Sequence, residues 1–75
     1  MVRGAEDFVF ETIEQQNGNA TVIRFEVNDQ HYNAGDVLVV LSGTDIHFHG
    51  MISQIADGWA QAADNRGSLL PATVQ

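Results

Sequence analysis

Turn-forming residues punctuate this chain so closely that mostly short elements fit between them. Gln16-Asn17-Gly18-Asn19, Ala34-Gly35-Asp36, Ser42-Gly43-Thr44-Asp45, Ala56-Asp57-Gly58 and Asp64-Asn65-Arg66-Gly67 all combine residues that accept positive φ or hydrogen-bond their own backbone. The runs between them are rich in β-formers. Thr21 to Val27 alternates with a period of two, placing Thr21, Ile23, Phe25 and Val27 on one face and Val22, Arg24 and Glu26 on the other. That is the pattern of a half-buried strand. Before it, Phe8-Val9-Phe10-Glu11-Thr12-Ile13 and the Asn17-Gly18 turn predict a hairpin. The competing reading is a short N-terminal helix with Val9, Phe10 and Ile13 on one face and Gly18 just beyond its end.

Val37-Leu38-Val39-Val40-Leu41 is an unbroken apolar run and predicts a strand covered on both faces. Ile46 to Ile55 reads as the next strand, with Ile46 and Phe48 inward, opposite His47 and His49, and with Gly50 marking a bulge or sharp bend. Trp59 to Ala63 and Ser68 to Leu70 follow. Pro71 has no N–H to donate to a ladder and therefore belongs at a strand end or an edge.

With 75 residues the chain has room for one core, so residues 1–75 are expected to form a single domain. Hydrophobic residues make up 44% and charged residues 17%, enough apolar surface to offset the ordering entropy. Short strands between frequent turns predict an all-β fold, a small, strongly bent β-barrel of five to six short antiparallel strands; the alternative is an N-terminal helix plus a barrel. A core of this size supplies roughly 3–5 kcal/mol, and small proteins add disulfides, a metal or oligomerisation to it. The chain has no cysteine, which leaves the last two. Neither a leader-like apolar run behind a basic segment nor a bilayer-length apolar stretch occurs, so the expected setting is the cytoplasm.

From Asp36 onward the order is Val37, Val39 and Leu41, a turn at Ser42-Gly43, Phe48-His49-Gly50-Met51-Ile52, Asp57-Gly58, a third strand, then Leu69-Leu70-Pro71 and Val74. This order over residues 36–75 resembles the Sm-like and Src-homology-type small β-barrels, in which a bent second strand carries a glycine and a short last strand follows a leucine-proline-like segment. The resemblance implies edge-to-edge oligomers. It would also imply RNA binding around a ring, but that requires basic or aromatic residues lining the pore, and this chain has no lysine. A second, local likeness links His47-Phe48-His49-Gly50 to the histidine-x-histidine-glycine segment of multicopper oxidases. Those enzymes need a cysteine ligand and further paired histidines, which are missing here.

The formal charge is −7, with ten carboxylates against Arg3, Arg24 and Arg66, a poor supply of cations for the phosphate backbone. Direct nucleic-acid binding is therefore not expected. An acidic surface suits a basic protein partner or, alternatively, an inhibitor that mimics nucleic acid. No nucleophile elbow, phosphate-cradling loop or metalloprotease signature appears, and Asp57-Gly58 and Asp64-Asn65 read first as turn chemistry. The expected function is a self-associating protein-interaction module without enzymatic activity. Trp59, beside a turn, is the first candidate contact residue, with Tyr32 and His31 as a second patch. No cofactor is expected on this reading. The alternative is a zinc- or copper-binding protein or small hydrolase centred on His47 and His49, whose same-side spacing along a strand is about 7 Å. Two imidazoles alone do not complete such a site; His31, Asp45 or Asp57, or a second protomer, would have to contribute.

Overall fold

The computed structural model describes residues 2–27, 32–64 and 66–72. It is all-β, with no helix among the described residues. Six strands occur in chain order: β1 (Val2–Gly4), β2 (Glu11–Gln16), β3 (Asn19–Glu26), β4 (Val37–Ser42), β5 (Asp45–Ala56) and β6 (Trp59–Ala63). They form one sheet ordered β1-β4-β5-β6-β3-β2. The predicted β3 alternation holds on its inner face: Ile23 and Phe25 are buried, while Arg24 and Glu26 are exposed.

The twelve-residue β5 organises the sheet, because it pairs with β4 from Asp45 to Met51 and with β6 from Met51 to Ala56. One strand thus belongs to two half-sheets, a standard way for a sheet to turn a corner over its own core. Leu38, Val40 and Phe48 from one half meet Ile23, Phe25, Ile52, Ala60 and Ala62 from the other, all essentially inaccessible to water. Leu70 completes this core from the C-terminal segment.

The crossing is close. A Cβ at Gly50 would lie 2.4 Å from the Ala63 carbonyl oxygen and 2.6 Å from Cε1 of Phe48. Gly50 was expected at a bulge or bend. The bulges fall at His47 and Ser53, between Val40/Leu41 and between Ile52/Gln54, and not at Gly50, which lies where β5 passes from β4 to β6 and serves the close approach of β5 to β6.

Several expectations are corrected. Strand pairing leaves the sheet open, with β1 and β2 as its two edges, and β1 runs parallel to β4, so the strands are not uniformly antiparallel. The N-terminal helix does not form. Residues 5–7 make a turn and residues 8–10 carry no regular structure, so β2 begins at Glu11 and Phe8 and Phe10 reach the core from a loop. Ser68 to Leu70 is not a strand. It is held by Ala20 N–H donating to Leu70 O at 2.7 Å, Leu69 N–H to His47 O at 2.7 Å and Ala72 N–H to Gly18 O at 2.9 Å. Pro71 forms an isolated bridge with Asn19, where its missing donor is tolerated. Ser68 Oγ also donates to Ala20 O, so this segment ties the start of β5 to the start of β3.

Candidate functional site

The bulge at His47 resets the alternation of β5. Ile46 pairs with Leu41 and is 56% exposed, which reverses its predicted inward orientation, whereas Phe48 is fully buried as expected. His49 is exposed and His47 half-buried, with its Nδ1 inaccessible and without a hydrogen-bond partner. The two histidines therefore do not share one flat strand face. They do line a single shallow cavity of about 200 Å³ beside Asp64 and Arg66. Asp64, read as turn chemistry, does accept the N–H two residues on, from Arg66 at 3.0 Å, and its buried carboxylate also accepts the His49 N–H at 3.1 Å. That carboxylate stitches β5 to the turn after β6. Among the described residues no group of three or more histidine, cysteine or acidic side chains is placed to hold a metal ion.

The apolar run in β4 meets solvent on one side. Leu38 and Val40 are buried, but Val37, Val39 and Leu41 face outward with the side chains registered beside them. Val37 pairs with Met51, Val39 with His49 and Leu41 with Ile46, and Val2 of β1 lies beside Val39. Val2 (64%), Val37 (42%) and Met51 (56%) are exposed like Ile46, and the face residues themselves include no carboxylate. Ala63 and Val22, registered beyond Met51, continue the apolar row onto β6 and β3. The expectation that both faces of β4 are buried is thus met on one face only.

Trp59 sits at the opposite end of the outer surface. It is half-buried, and the Arg24 guanidinium lies 4.5 Å above its ring while Arg24 Nε donates to Glu11 Oε2 at 2.7 Å. Behind this pair lies a cleft of about 410 Å³, the largest of the cavities described here, between residues 7–11, the end of β3 and Trp59. Phe8 stacks on Phe10 at 5.5 Å between centroids and meets Phe25 edge-on at 5.2 Å, so aromatic rings wall it. Asp7, Glu11 and Glu26 stand at this cleft with Arg3. Sequence reasoning singled out Trp59 but assigned Phe8 and Phe10 to a strand and so missed the cleft. Glu26 pairing with Trp59 across β3 and β6 follows from a register that neither strand announces alone.

Tyr32 packs against the core and its hydroxyl accepts a hydrogen bond from Arg3 at 2.8 Å, so its polar end is engaged within the chain. His31 lies outside the described residues. Asp45 opens β5 and Asp57 follows its far end, so these two carboxylates stand at opposite ends of the longest strand. No helix among the described residues is long and apolar enough to cross a membrane. Comparison with known proteins yields no match to a family model, to a curated protein or to a solved structure.

Proposed function

We propose that this chain is a cytoplasmic, self-associating protein-interaction module without enzymatic activity, and that a second copy covers the outer face of β1, β4 and β5. The observation that carries this reading is the mainly apolar, carboxylate-free surface that Val2, Val37, Val39, Leu41, Ile46 and Met51 form around His49. A contiguous exposed apolar patch on a small protein marks a contact surface. For a chain of formal charge −7, like-charge repulsion opposes self-contact over much of the surface, and this face brings two copies together with no carboxylate against another. A two-fold arrangement would set each face against its equivalent. The same reading treats the bent sheet as a small barrel, with the Ser68–Ala72 segment bridging the starts of β5 and β3, in keeping with the Sm-like and Src-homology-type resemblance.

Association by strand edge is less well supported. β1 has three residues, and β2 carries Glu11 and Glu14 and two register irregularities, all features that discourage edge-to-edge pairing.

Light scattering after gel filtration in chelator-containing buffer tests the proposal. The wild type should run as a multiple of 8.2 kDa, and Met51→Glu and Val39→Glu should shift it toward monomer with unchanged circular dichroism. A monomer at hundreds of micromolar would overturn the reading. Association only after zinc is restored would transfer it to His47 and His49.

A further inference from the structure

The aromatic cleft shares no residue with the face assigned to self-association, so its ligand is a separate question. Its walls include Phe8, Phe10, Phe25 and Trp59; Phe8 is in ring contact with Phe10 and Phe25, and the Trp59 ring carries the Arg24 guanidinium. Glu11 is already paired with Arg24, and Arg3 donates to Tyr32, which leaves Asp7 and Glu26 as the carboxylates at the cleft without a cation against them in the hydrogen bonds and ion pairs described. Aromatic faces and carboxylates attract the same kind of group, a cation on an apolar stem. The protein satisfies this preference once with its own residue: Arg24 lies over the Trp59 ring and pairs with Glu11. A volume of about 410 Å³ is the size of a side-chain or small-ligand site, and the net charge of −7 would steer a basic segment toward it.

We propose that this cleft binds an arginine- or lysine-bearing segment of a partner protein, with the stem of the basic residue against the Phe8 and Phe10 rings and its cation between Asp7 and Glu26. The inference does not depend on self-association, and a monomer would bind equally well.

The test uses the fluorescence of Trp59, the sole tryptophan, titrated with a nine-residue peptide alternating arginine and leucine and with its citrulline counterpart, which keeps the shape and loses the charge. Saturable binding of the arginine peptide is expected, at least tenfold tighter than that of the citrulline peptide and weakening as salt rises. The exposed pair Asp7→Asn/Glu26→Gln should lose roughly tenfold in affinity, since two nearby charges at a protein surface each contribute a few-fold. The charge-matched pair Glu14→Gln/Asp45→Asn, away from the cleft, should stay within about twofold of wild type. Equal binding of the citrulline peptide, equal losses in the two charge variants, or no saturable signal up to millimolar peptide would each overturn the proposal. Circular dichroism of each variant separates lost binding from lost folding.

Discussion

Replacing Gly50 with alanine probes the crossing on which the whole sheet turns. The added Cβ would approach the Ala63 carbonyl oxygen to 2.4 Å, where ordinary contact begins near 3.4 Å, so something must move by about 1 Å. Neither neighbour yields easily. One is backbone at the end of β6 and the other is the ring of Phe48, fully enclosed by the core. Overpacking of this kind costs about 1–3 kcal/mol, and two rigid neighbours place it at the upper end. Lower entropy of the unfolded alanine chain returns about 0.5–1 kcal/mol, leaving a net loss of about 2 kcal/mol. At roughly 4–8 °C per kcal/mol for a domain of this size, the melting temperature should fall by about 8–16 °C. Thermal unfolding followed by circular dichroism, with Gly4→Ala as control, measures it. Gly4 has negative φ and its nearest contact would be Glu6 Oε1 at 3.6 Å, so that variant should melt close to wild type. A Gly50→Ala melting point within about 3 °C of wild type would refute the close crossing of β5 and β6.

Asp64→Ala removes the acceptor for the His49 and Arg66 N–H groups and should cost about 2–3 kcal/mol, with Asp64→Asn losing less because an amide oxygen still accepts. Urea midpoints at constant m value give the difference. Arg24→Gln breaks an exposed ion pair and a ring contact together and should cost no more than about 1 kcal/mol, a loss that shrinks as salt is raised. Its more direct signature is a change in Trp59 emission.

The strands with strong local patterning were legible from residue order alone. The two-residue period of β3 and the turn chemistry at Asn17-Gly18, Ser42-Gly43 and Asp57-Gly58 place the hairpins, and the positive φ of Asn17, Gly18, Gly43, Asp57 and Gly58 shows why those residues stand there. Two things were not legible. A bulge consumes one residue without altering composition, so the phase of β5 before Phe48 was read one step out, and Ile46 moved from the core to the surface. Pairing between segments far apart in the chain, such as Val2 with Val39 or Glu26 with Trp59, depends on tertiary packing. The cleft arises from such pairings. Trp59 alone was visible as a contact candidate, whereas Phe8 and Phe10 looked like strand residues because aromatic alternation has the same appearance whether it lines a sheet or a cavity wall.

Because β5 supplies the inner edge of both half-sheets, the molecule has no seam along which it can open in stages. Detaching β4 strips the first half of β5, detaching β6 strips the second, and either event exposes Phe48 and Ile52 together. Amide exchange along β5 should therefore follow global unfolding rather than local fraying, with the slowest protons clustered around Leu38, Phe48 and Ile52. A binding surface mounted on such a strand is held as rigidly as the fold itself, so a partner that meets the outer face of β5 would stabilise the global folding equilibrium by mass action.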